Sequence, residues 1–244
     1  MLPWILLDTA PIAGSDGKST GAELRLMRRG TEFSIKLGQN ELMNSRLSGS
    51  EEALATLVFE KLALGRQNTA HHKAASPQTV ILIGGLGMGF TLRAALNSWG
   101  PLATVIVAEL VPAVVAWARG PMASVFAGSL DDPRVSLHQG DVSAMIRSGK
   151  QRFDAILLDV DNGPEGLTQT ANDALYDMAG LSAAHSALRP GGVLAVWSSG
   201  PDPRFTQRLR KAGFSVDEMK IRANGKRGGA RHMIWLATRF QTQR

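Results

Sequence analysis

The chain has 244 residues, 44% of them hydrophobic, a formal net charge of +6 at pH 7 and no cysteine. That length suits one α/β domain with a small appendage, or two small domains, each able to bury a core. Without cysteine, disulfides, zinc–thiolate centres and thiol nucleophiles are excluded outright.

The opening stretch Met1-Leu2-Pro3-Trp4-Ile5-Leu6-Leu7-Asp8 lacks a basic leader and breaks its apolar run at Asp8. No later apolar run is long enough to span a bilayer, so a cytoplasmic protein without membrane contact is expected. Residues 13–21 are turn material. Positions 23–28 and 32–37 alternate polar with apolar around Arg29-Gly30-Thr31, which predicts a hairpin with one buried face. Whether that hairpin also supplies a homodimer contact is left open by the sequence. Ser48 or Ser50 caps a helix predicted over 51–64, with Glu51 and Glu52 in its first turn and Leu54, Leu57, Val58 and Leu62 as its apolar stripe. Gly65 ends it, and residues 66–78 read as a linker, so two domains are expected, 1–72 and 73–244. His71 and His72 fall in the linker and receive no role.

Next comes the stretch that organises the chain, an apolar run Thr79-Val80-Ile81-Leu82-Ile83, then Gly84, Gly85, Gly87 and Gly89, then helical spacing through Leu92, Ala95 and Leu96. A strand, a glycine turn and a helix make a cradle for a nucleotide or related cofactor, because glycine lets backbone approach the ligand and the helix start offers unpaired N–H groups. Strands follow at 104–108, 135–138, 153–158, 193–198, 214–221 and 232–238, and helices at 90–99, 112–119, 142–148, 171–188 and 202–212. Only residues 222–231 separate the last two strands, which are therefore expected to pair as an antiparallel hairpin. The expected fold class is α/β: a doubly wound, mostly parallel seven-stranded sheet with a terminal antiparallel strand, behind a small β-rich domain. This pattern resembles the Rossmann-like class I S-adenosylmethionine-dependent methyltransferases. The loop agrees, since Gly85, Gly87 and Gly89 read G-x-G-x-G, whereas a dinucleotide G-x-G-x-x-G would need glycine where Phe90 stands.

Acids close the strands at the edge where such sheets bind ligands. Glu109 lies twenty residues after Gly89 and can accept both hydroxyls of a ribose, or be a solvated turn acid. Asp141 can accept from an adenine amino group or cap the helix that follows it. Asp159 ends the central strand 153–158, where a carboxylate can take a proton from the attacking group or orient it.

Residues 80–93, 107–119, 132–141 and 153–167, with Leu188-Arg189-Pro190-Gly191-Gly192, resemble the spermidine/spermine synthase family of polyamine aminopropyltransferases. The resemblance covers roughly residues 20–240 and implies that Glu109 holds the ribose, Asp141 the adenine and Asp159 the attacking amine. Departures accompany it. The family's loop aspartate is absent from Gly84-Gly85-Leu86-Gly87-Met88-Gly89; its D-x-x-D-P reads Asp159-Val160-Asp161-Asn162-Gly163; and its helix tyrosine and glutamate are Leu54 and Thr56. The last segment is basic, and the turn over 222–231 presents Lys226, Arg227 and Arg231 at the ligand edge, suited to an anionic ligand or RNA, or merely a solvated face.

The expected function is therefore a transferase for an S-adenosyl sulfonium and a small-molecule acceptor, with methyl transfer from S-adenosylmethionine to an anionic acceptor placed first. Aminopropyl transfer from decarboxylated S-adenosylmethionine is the alternative, and a non-catalytic RNA-binding module with a vestigial adenosyl pocket the second. The candidate site comprises Asp159 as catalytic base or orienter; Gly84, Gly85, Gly87, Gly89, Glu109 and Asp141 around the cofactor; and Asp161, Lys226, Arg227 and Arg231 toward the substrate. No metal is expected.

Overall fold

The computed structural model describes residues 2–13, 19–67, 78–160, 174–224 and 228–240. Four strands, β1 (Ile5–Ala13), β2 (Ser19–Arg29), β3 (Glu32–Leu37) and β4 (Asn40–Asn44), form an antiparallel meander in chain order. The predicted hairpin is its centre. Arg29 pairs with Glu32 across a turn in which Gly30 takes φ +60°, and Leu26 sits opposite Ile35 on the buried face. Strands β1 and β4 on its flanks were not foreseen. Pro11 lies inside β1, which tolerates it because β1 is an edge strand of this sheet.

Helix α1 (Gly49–Gln67) buries Leu54, Ala55, Val58 and Leu62, much of the stripe read from sequence. Then come β5 (Val80–Gly84), α2 (Phe90–Ser98), β6 (Thr104–Glu109), α3 (Pro112–Arg119), the short α4 (Ala123–Phe126), β7 (Val135–Gln139), α5 (Val142–Ser148) and β8 (Phe153–Leu158). They are followed by α6 (Met178–Ala187), β9 (Leu188–Ser198), α7 (Pro203–Lys211), β10 (Phe214–Arg222) and β11 (Arg231–Arg239). The expected helix over 171–188 starts partly outside the described residues.

The second sheet has the order β10-β11-β9-β8-β5-β6-β7, with β11 antiparallel to both neighbours and the pairs from β9 to β7 parallel. This is the doubly wound, mostly parallel sheet with a terminal antiparallel strand. Its central strands are apolar throughout because both faces are covered: Ile81, Ile83, Val105 and Val107 pack toward the first sheet and α1 to α3, whereas Leu82, Ile156, Leu158 and Trp235 pack toward α5 to α7.

Successive crossovers change direction beside β5, so β5 and β8 open a crevice at their carboxyl ends, the usual place for a ligand. The first sheet is held over that end. Trp117 Nε1 on α3 donates to Asp8 Oδ2 on β1 at 2.7 Å, holding the Asp8 carboxyl below its usual range, and Gly49 N at the start of α1 donates to Ala223 O beside β10 at 3.0 Å. Among the described residues, no helix is long and apolar enough to cross a membrane.

Candidate active site

The glycine loop is fixed from both sides. Gly85 N donates to Ala108 O at 2.9 Å, and Asp159 N donates to Gly84 O at 3.0 Å, locking the ends of β5, β6 and β8 together. Gly85 has φ +89°, and a Cβ there would lie 2.5 Å from the Asp159 carbonyl oxygen; at Gly89, φ +74°, it would lie 2.4 Å from the Phe126 ring. Met43 of β4 lies directly over Gly87. Gly85→Ala is therefore expected to destabilise the chain by about 2 kcal/mol or more, because it adds strain and a backbone clash that only displacement of Asp159 relieves. Denaturant unfolding of the variant measures it.

Glu109 is buried at the end of β6. Its Oε2 accepts from Leu86 N at 2.9 Å and its Oε1 from Val111 N at 2.8 Å. Burial raises its pKa, against the lowering effect of these backbone N–H groups. The carboxylate is thus braced by backbone where it lines the pocket, placed to accept from a ligand's hydroxyls. Asp141 is the N-cap of α5: Oδ1 accepts from Ser143 N at 2.7 Å, and Ser143 Oγ bonds Oδ2. It also lines the pocket, so capping and ligand contact are compatible here.

Asp159 lies immediately after β8, and its Oδ2 accepts from Thr91 Oγ1 at 2.8 Å. Across from it is Glu51, in the first turn of α1, whose carbonyl oxygen lies 3.2 Å from the same hydroxyl. Both acids line the pocket and both are perturbed. Burial first, then the charge of Asp159, pushes Glu51 up to about 7. Burial pushes Asp159 up to about 6, against the Thr91 hydrogen bond.

This pair makes stability depend on pH. A carboxyl whose pKa is raised on folding holds its proton in the folded chain where the unfolded chain has lost it, so its favourable contribution is complete below the unfolded value and lost as pH rises through the folded one. For Glu51 that window runs from 4.5 to about 7. Glu51→Gln is expected to make the ligand-free protein more stable than the unaltered chain by about 1–2 kcal/mol at pH 8, the gap closing near pH 4. Thermal unfolding at the two pH values reads the difference.

The pocket thus gathers Gly85, Gly87, Gly89, Glu109, Asp141 and Asp159, with Gly84 just behind them at the end of β5. Arg231 is exposed at the start of β11 and does not line it, while Asp161, Lys226 and Arg227 lie outside the described residues. Sequence reasoning missed Glu51 and Thr91. Glu51 reads from sequence as an ordinary first-turn helix acid, and only the packing of α1 carries it to the pocket. Among the described residues no cluster of three metal-ligating side chains occurs. The charged side chains among the described lining residues are Glu51, Glu109, Asp141 and Asp159, all acids; no lysine, arginine or histidine joins them.

The model of the spermine/spermidine synthase domain matches residues 65–207. Among curated relatives, polyamine aminopropyltransferase 2 of Pseudomonas aeruginosa is 35% identical over 143 residues, 57% of this chain and 38% of that protein. Polyamine aminopropyltransferase 1 of Streptomyces coelicolor is 29% identical over 164 residues, 64% of this chain and 30% of that protein. The chain spans about a third of the length of these relatives. A solved structure of spermidine synthase in complex with the transition state analogue AdoDATO superposes with a TM-score of 0.68 at 17% identity, covering 97% of this chain and 73% of that one, which shows a shared fold.

These matches overturn the expectation of a methyltransferase acting on an anionic acceptor, since the family model and the relatives are of polyamine aminopropyl transfer. The physical reason lies in where charge sits. The basic C-terminal segment weighted the expectation, yet two of its cations are spent on structure, Arg208 on Asp202 and Arg239 on the His185 carbonyl, while the charged side chains among the described lining residues of the pocket are acids.

Proposed function

This chain belongs to the family of the spermine/spermidine synthase domain, and from that premise we propose that it transfers an aminopropyl group from decarboxylated S-adenosylmethionine to an amine. The observation that carries the proposal is the charge of the pocket. Four carboxylates, with no cation among the described lining residues, suit a donor bearing a sulfonium and an ammonium and an acceptor that is itself a cation. The carboxylate of intact S-adenosylmethionine would add one more anion among them.

In this reading the glycine loop receives the adenosyl group, Glu109 accepts the ribose hydroxyls and Asp141 the adenine amino group. Asp159 and Glu51 hold the acceptor amine between them. The amine lone pair forms a C–N bond to the carbon beside the sulfonium, and the C–S bond breaks with its electrons going to sulfur, leaving a neutral thioether. The protein's work is alignment of nitrogen, carbon and sulfur, with Asp159 accepting from the amine and aiming its lone pair. Because the family's loop aspartate and helix tyrosine are missing here, Asp159 and Glu51 carry the amine contact.

Titration calorimetry with the two sulfonium donors tests this directly. The decarboxylated form is expected to bind at least about tenfold more tightly than S-adenosylmethionine, a difference of about 1.4 kcal/mol. Equal affinity, or a preference for S-adenosylmethionine, removes the donor assignment.

A further inference from the structure

Glu51 leads out of the pocket as well as into it. Its Oε2 accepts from Ser50 Oγ at 2.7 Å, and Ser50 Oγ lies 2.9 Å from His232 Nδ1 on β11. Ser50 is fully buried, and the His232 ring packs edge-on against Trp197, with ring centres 4.7 Å apart. A serine hydroxyl has one proton to give, so this chain has two arrangements. With Glu51 ionised, Ser50 donates to Glu51 and accepts from His232 Nδ1–H. With Glu51 protonated, its O–H donates to Ser50, and Ser50 donates to a bare Nδ1.

We propose that Glu51, Ser50 and His232 form the exit path for the proton that the acceptor amine loses before it attacks. The proposal rests on aminopropyl transfer as read above. Each turnover releases one proton, because an ammonium must become an amine to attack, and the secondary ammonium formed keeps its remaining N–H bonds. First an N–H bond of the bound ammonium breaks as an O–H bond forms on Glu51. Then the Glu51 O–H and Ser50 O–H bonds break as a new Ser50 O–H and His232 Nδ1–H form, leaving Ser50 unchanged and His232 an imidazolium. The imidazolium ring then swings its Nδ1–H to water, which takes that proton, and returns with Nδ1 bare and Nε2–H retained, restoring the acceptor. Glu51 is the member that touches substrate; Ser50 and His232 act through it.

Two features support a path over a merely structural contact. Both hydrogen bonds are at full-strength distances, and the one between His232 and Ser50 joins residues 182 positions apart on different elements. Burial raises the Glu51 pKa to about 7, out of the ordinary carboxylate range, so Glu51 can hold a proton in transit.

The test compares the full chain with His232→Gln, which can still hydrogen-bond Ser50 but cannot accept and release a proton, and with Ser50→Ala, which cuts the chain. Both are expected to lower kcat for aminopropyl transfer at least about tenfold, with KM for the amine and affinity for 5′-methylthioadenosine within about twofold of the unaltered protein. Added imidazole is expected to restore turnover to His232→Gln and not to Ser50→Ala. Unchanged kcat in either variant, a loss confined to KM or to thioether affinity, or no response of His232→Gln to imidazole overturns the proposal while leaving aminopropyl transfer standing. Should His232→Gln fail to fold, Ser50→Ala decides on kcat alone. No transfer by the unaltered protein overturns the reading beneath it and this path together.

Discussion

Asp159→Asn is expected to lower kcat for aminopropyl transfer about 10³-fold while affinity for 5′-methylthioadenosine stays within about threefold. The magnitude follows from what one aligned carboxylate contributes to attack by an amine: removing the charged oxygen that positions the amine and aims its lone pair typically costs about two to four powers of ten. Asparagine keeps the shape and can still accept from Thr91, so the loop and β8 are undisturbed. What it loses is the charge that pairs with an ammonium, and its amide N–H groups face the substrate with the wrong sign. Because burial already penalises the ionised Asp159, the variant is expected to be at least as stable as the unaltered chain near pH 8. Loss of activity with retained stability separates a chemical role from a structural one. Unaltered kcat removes Asp159 from the site.

Glu109→Ala has the opposite signature. Its carboxylate is buried and braces both the glycine loop, through Leu86 N, and the entry to α3, through Val111 N. Alanine leaves two backbone donors without their partner, at about 1–3 kcal/mol for each that stays buried, and removes the acceptors assigned to the ribose. We expect a stability loss on the order of 3 kcal/mol and donor affinity reduced at least about 10²-fold. Glu109→Gln keeps one oxygen acceptor and is expected to fall between the two chains in both measurements. Denaturant unfolding and calorimetry with decarboxylated S-adenosylmethionine provide the two readouts, and full affinity in Glu109→Ala contradicts the ribose assignment.

Much of the second sheet was legible because its local signals agree. Val80 to Ile83 is β-branched and apolar, the glycines follow at once, and helical spacing returns at Leu92, so element type and ligand edge could be read together. Glu109, Asp141 and Asp159 were legible for a related reason: each ends or closely follows a strand of the parallel sheet, and strand ends in such a sheet share one edge. Strands β1 and β4 were not, since Pro11 argues against a strand unless the edge position is known, and Asn40 to Asn44 is short and half polar.

The sign of the site was misread for a deeper reason. Net charge along a sequence says nothing about which side chains turn inward. Arg231 is exposed, Arg208 is drawn to Asp202, and the charged side chains among the described lining residues are acids from four separate parts of the chain. Glu51 shows the same limit most sharply. Its neighbours in sequence place it in a helix's first turn, whereas its neighbours in space, Asp159 and Thr91, come from α1 packing over the end of the sheet.

The most direct test of the account is product analysis after incubating the full chain with decarboxylated S-adenosylmethionine and a panel of primary amines. The account predicts 5′-methylthioadenosine together with an amine carrying one added aminopropyl group, and neither from Asp159→Asn above background. A methylated product and S-adenosylhomocysteine from S-adenosylmethionine, with no aminopropylated amine from the decarboxylated donor, would contradict it.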